Sequence, residues 1–110
     1  MLEMEGGRVL PTTDDGFLLN TSDWDEQVGE ALAATANIAL TEAHWEIIHF
    51  IRNYYFNFNH LPNARLFVKA VQKTLGEDKG NSRYLSGLFP GSPVKSACLI
   101  GGLPKPPGCI

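Results

Sequence analysis

From Glu42 to about Phe58 the apolar positions Ile47, Ile48, Ile51, Tyr54, Tyr55 and Phe58 recur at helical spacing, and Thr41 stands where an N-cap belongs. Trp45, Phe50 and Phe56 widen the stripe, so this helix is expected at the centre of the fold. A chain of 110 residues has room for one compact domain around such a helix and none for a second of ordinary size. With 44% hydrophobic and 19% charged residues, it has the balance of a folded protein rather than a disordered one.

Leu2-Glu3-Met4-Glu5, Gly6-Gly7 and Arg8-Val9-Leu10 predict two short strands around a two-residue glycine turn. Asp15-Gly16 marks another turn. Thr21 or Ser22, with the acids Asp23, Asp25 and Glu26, predicts a helix start, because first-turn amides lack partners and attract negative charge. Trp24, Val28, Ala31, Leu32 and Thr35 then share one face. After a break around His60-Leu61-Pro62, a third helix turns Ala64, Phe67, Val68, Val71 and Leu75 inward and stops at Gly76. A fourth opens at Gly80-Asn81-Ser82, carries Tyr84, Leu85 and Leu88, and ends at Pro90-Gly91, and Ser92-Pro93 opens a fifth. The expected fold is mainly α: a small orthogonal bundle of about five helices with an N-terminal β-hairpin over residues 1–100, followed by a mobile C-terminal arm at 101–110.

That arm has a composition of its own, with three prolines and three glycines in the ten residues from Gly101 to Ile110. It can be neither helix nor inner strand, and Pro104 to Pro107 should form a stiff extended stretch of about 12 Å between glycine hinges. Cys109 stands near its tip, beside Gly108. An exposed, unperturbed thiol is about 3% thiolate at pH 7, and the positive charge of Lys105 nearby can only raise that fraction. An exposed tail thiol without a use is normally a liability, whereas a thiol on a semi-rigid spacer suits a carrier that reaches into another protein's active site.

Only one other cysteine occurs, Cys98, on the apolar side of the fifth helix with Val94 and Ala97. Two readings stand side by side. A buried core thiol is common for this residue type. Alternatively Cys98 is a redox partner of Cys109, since the closure entropy of so short a loop is only about 3 kcal/mol. In a reducing cytosol, a cysteine pair confined to the end of a chain is more often chemical than structural.

The other polar candidates carry less. His44 and His49, five apart, point to different faces of their helix, and the cysteine spacing matches no zinc pattern, so neither a metal site nor a cofactor is expected. No phosphate loop, serine elbow or Cys-x-x-Cys pair is present. Arg65, Lys69 and Lys73 line up at four-residue steps, with Arg83 able to extend them. They form either a solvated helix face or a dock for an acidic partner or RNA phosphates. The net charge of −3 counts against a helix-turn-helix-like module binding DNA. No apolar run approaches the roughly 18 residues of a membrane span. The N-terminus, with its acids and glycines, does not resemble a signal peptide, so a cytoplasmic location is expected.

The segment from Lys79-Gly80-Asn81-Ser82-Arg83-Tyr84-Leu85 through Leu88-Phe89-Pro90 to Gly102-Leu103-Pro104-Lys105-Pro106-Pro107-Gly108-Cys109-Ile110 resembles the DsrC/TusE family of sulfur-carrier proteins. Thr41-Glu42-Ala43-His44-Trp45-Glu46 and the aromatic helix after it are similar to that family too, so the resemblance covers nearly the whole chain. It implies a helical domain whose Cys109 bears a persulfide, acting as a sulfurtransferase or protein co-substrate between donor and acceptor proteins. In the TusE branch, sulfur passes from a relay complex to a tRNA thiouridylase for 2-thiouridine synthesis. In the DsrC branch, a second cysteine eleven positions earlier acts with dissimilatory sulfite reductase, and the product is a trisulfide. Cys98 matches that second cysteine and tilts the expectation to the DsrC-like branch. Pro107 departs from the family pattern, which usually has one proline fewer before its Gly-Cys; it should stiffen the arm and leave the thiol chemistry untouched.

Overall fold

The structure, a computed structural model, describes residues 1–107. They form a short antiparallel pair, β1 (Leu2–Glu3) and β2 (Val9–Leu10), and five helices: α1 (Glu26–Thr35), α2 (Glu42–Phe58), α3 (Ala64–Leu75), α4 (Ser82–Leu88) and α5 (Pro93–Ile100). The mainly helical architecture with its N-terminal hairpin is the one expected.

Local chemistry explains most boundaries. The side chains of Asn63 and Asn81 accept hydrogen bonds from the amides of Leu66 and Tyr84, capping α3 and α4. Thr41 precedes α2 as expected, and Pro93 occupies the first turn of α5, where its missing N–H costs nothing. Gly76, at φ 99°, ends α3.

Two local expectations are corrected. The hairpin turn is wider than two residues: Leu2 pairs with Leu10 and Glu3 with Val9, and Met4 to Arg8 make the connection. A Gly7 to Met4 hydrogen bond closes a turn in which Gly6 and Gly7 both hold positive φ, so the second glycine leads the chain back rather than completing a minimal loop. The first helix begins later than Thr21 or Ser22. Thr21–Asp23 is a separate 3-10 turn, and Asp25 is the N-cap, its carboxylate accepting from the Val28 amide at 2.9 Å. Trp24 therefore stands outside α1, and Thr35 is exposed; Val28, Gly29, Leu32 and Ala33 form the buried face.

α5 is the hub, packing against α1, α2, α3 and α4. The main core gathers Ile47, Ile48 and Ile51 of α2, Phe67 and Val71 of α3, Leu85 of α4, and Val94, Ala97, Cys98 and Ile100 of α5. A smaller cluster joins the hairpin to α1 through Leu2, Leu10, Leu18, Val28 and Leu32. The inward stripe of α2 stops short of its end: Phe56 and Phe58 are 56% and 59% exposed. Ala64 is likewise exposed, at the open end of α3.

Candidate functional site

Cys109 lies outside the described residues, so the site is built from the segment that leads to it. α5 ends in a closed cap. Gly102 adopts φ 69°; its N–H donates to the Leu99 carbonyl at 3.3 Å, and the Leu103 N–H reaches back to the Cys98 carbonyl at 2.9 Å. This is the Schellman pattern, with a left-handed residue just past the helix and an apolar residue after it folded onto the last turn. The Gly101-Gly102 pair expected as a hinge is thus built as a helix cap. A Cβ on Gly102 would overlap the Trp24 side chain, so glycine is required there for space as well as for φ.

Two side chains from distant parts of the chain hold the same turn. The Trp24 indole Nε1 donates to the Ile100 carbonyl at 2.8 Å, and Arg52 Nη1 donates to the Gly101 carbonyl at 2.6 Å. The Arg52 guanidinium lies 4.0 Å from the Trp24 ring centroid and 5.0 Å from that of Phe56. Burial lowers its pKa below the usual guanidinium value, and it remains a cation, as arginine does in proteins. Trp45 packs edge-on to Trp24 and stacks on His49, whose Nε2 is 3.2 Å from Glu26.

Beyond the cap, Leu103 is fully buried in the main core and Pro106 is buried as well. Lys105 Nζ lies 3.1 Å from Asp15 Oδ2 in the turn before Phe17. Asp15 has its pKa lowered, first by the hydrogen bond from Thr13 and then by Lys105. The segment from Gly101 to Lys105 is therefore tied to the loop before α1, to α2 and to the second turn of the chain by described contacts.

Cys98 is fully buried on α5, with its helix neighbours Val94 and Ala97 also in the core. Arg65, Lys69 and Lys73 run along the exposed face of α3, and Arg83 is exposed in the first turn of α4. Among the described residues none of these four enters an ion pair. Lys105 stands apart from them, engaged with Asp15. His44 is not metal-binding in form: it is buried, with Nδ1 accepting from the Thr41 amide and Nε2 bonded to the Leu88 carbonyl. Sequence reasoning missed Arg52 and Trp24. An arginine one residue past Ile51, on the flank of an aromatic helix, was the only local signal for the first, and nothing local announced that the indole would reach a carbonyl 76 residues away.

A small bundle in which α5 packs against the four other helices and leads through a glycine cap into a proline-rich segment is the framework the sequence resemblance implied. The chain belongs to the DsrC-like family: the family described as "DsrC like protein" matches residues 4–110, a span that includes both cysteines. It is 50% identical to the Sulfurtransferase TusE of Pectobacterium atrosepticum over 110 residues, which is 100% of each chain. Among solved structures it is similar to Allochromatium vinosum DsrC, with a TM-score of 0.87 and 45% identity over 98% of this chain and 96% of that one. The oxidized gamma-subunit of dissimilatory sulfite reductase (DsrC) from Archaeoglobus fulgidus matches with a TM-score of 0.83 and 43% identity, covering 99% and 98% of the two chains. The fold and the sulfur-carrier family are those that the sequence resemblance implied.

Proposed function

We propose that this chain carries sulfur as a persulfide on Cys109 and hands it on in a TusE-like cytoplasmic relay ending at a tRNA thiouridylase. The observation that carries the reading is the 50% identity, along the whole of both chains, to a protein named Sulfurtransferase TusE. The chemistry asks little of the protein. The Cys109 thiolate attacks the outer sulfur of a donor persulfide, forming a new S–S bond as the donor's own S–S bond breaks and its thiolate departs. An acceptor thiolate then takes that sulfur from Cys109 and regenerates the Cys109 thiolate. Electrons balance at each exchange, and neither a cofactor nor a catalytic base is needed beyond an accessible thiolate.

The DsrC-like reading, with Cys98 as second working cysteine beside a sulfite reductase, is favoured by the eleven-residue spacing of the two cysteines and by the likeness to A. vinosum DsrC. The identity with TusE relatives outweighs the tilt that Cys98 gave to this branch. Mass spectrometry after incubation with a persulfide donor tests the common core: added mass in whole sulfur atoms is expected on the parent protein and none on Cys109→Ser, at unchanged thermal stability. Normal sulfur transfer by Cys109→Ser would end the proposal.

A further inference from the structure

A helix end leaves carbonyls without intrahelical donors, and usually a cap and water satisfy them. At the end of α5 every carbonyl from Ala97 to Gly101 has a donor within the protein. The Ala97 carbonyl accepts from Gly101 N–H at 2.9 Å, Cys98 from Leu103 at 2.9 Å, and Leu99 from Gly102 at 3.3 Å. The next two carbonyls, Ile100 and Gly101, are taken by the Trp24 indole and the Arg52 guanidinium. The backbone bonds alone complete a Schellman cap, so these side chains do more than stop a helix. They tie the first two peptide units of the outgoing segment to α2 and to the loop before α1. Arg52 itself is fixed by the Trp24 and Phe56 rings, which makes the tie stiff, and a cation at a helix C-terminus is well placed electrostatically.

We infer that Arg52 and Trp24 are positioning residues that clamp the root of the Cys109 segment, setting the point and direction from which its thiol is presented to a protein partner. The inference rests on the carrier reading of Cys109. Cys109 stands three positions past buried Pro106, a chain length of at most about 11 Å, and the path that leads to Pro106 starts from the clamped root. Lysine cannot substitute for arginine here, because a flexible ammonium neither stacks on two rings nor presents a planar fork to the carbonyl.

The test places one nitroxide on Cys109 and a second on a cysteine introduced at exposed Asn57, in a Cys98→Ala background, and measures the distance distribution between them. Arg52→Lys, and separately Trp24→Phe, which keeps an aromatic ring but deletes the indole N–H, should each broaden that distribution at least twofold. Loading of Cys109 by inorganic polysulfide in the unlabelled variants should match that of their parent, and circular dichroism should show the helices retained. Distributions unchanged in width and centre in both variants would overturn the clamp. A parent protein whose Cys109 takes up no sulfur from polysulfide, with the broadening present, would instead overturn the carrier reading and leave the clamp standing.

Discussion

His44 Nε2 lies 2.7 Å from the carbonyl oxygen of Leu88, joining the first turn of α2 to the last residue of α4. A carbonyl only accepts, so the ring proton sits on Nε2, and Nδ1 is free to accept from the Thr41 N–H at 3.1 Å. One buried imidazole therefore caps one helix and anchors the end of another.

His44→Ala should cost about 2 kcal/mol or more, since it leaves two backbone groups in a buried setting without these partners. His44→Gln should recover part of the loss, because glutamine at the third helical position rebuilds the bond to the Thr41 amide but has to reach further for Leu88. Denaturant midpoints for the three proteins check this. An alanine variant within about 0.5 kcal/mol of the parent would mean that water replaces both bonds.

Asp25 should make the N-terminal half acid-sensitive. Its pKa is lowered, first by the Val28 amide and then by Arg8, whose Nη1 is 3.3 Å from Oδ2. A carboxyl with a depressed folded-state pKa contributes stability that is fully present above its ordinary value of 3.8 and is lost as pH falls through the lowered value. Asp25→Asn keeps a good N-cap without the titrating group, so its stability should fall less steeply over that acid range. Parallel slopes in thermal melts below pH 4 would exclude Asp25 as a contributor.

Cys98→Ala separates the two branches. In a TusE-like relay it should cost only packing, about 1 kcal/mol, and delivery of sulfur from Cys109 should survive. In a DsrC-like system single persulfide loading of Cys109 would persist, while any product with sulfur bridging both cysteines would vanish. Mass spectrometry of the non-reduced protein after loading decides between them.

Helix positions were legible where a strong local signal had no rival. Thr41, Asn81, Ser92-Pro93 and Gly76 each mark a boundary by short-range chemistry, and the observed helices begin or end beside them. At α1 the signals competed. Thr21, Ser22, Asp23 and Asp25 are all capable caps, and only the three-dimensional structure shows Asp25 taking the role, with Trp24 left outside to reach Ile100. The root of the arm was illegible for a different reason. Gly101, Gly102 and Leu103 look unstructured beside three prolines, and their partners come from residues 24 and 52, which no local window contains. The basic residues of α3 were placed correctly on an exposed face, whereas the pairing of Lys105 with Asp15 depends on a contact across 90 positions of chain.

The placement of α5 also bears on how the protein is made. The helix against which all four others pack is the one that follows them in the chain, so during synthesis the apolar faces of α1 to α4 leave the ribosome before their common partner exists. The nascent chain cannot close its main core until Leu103 has emerged. Folding is thus coupled to the completion of the very segment that carries Cys109, and a truncated product stopping short of the arm would leave the main core without Leu103, exposed to chaperones and proteases rather than persisting as a competitor that lacks Cys109.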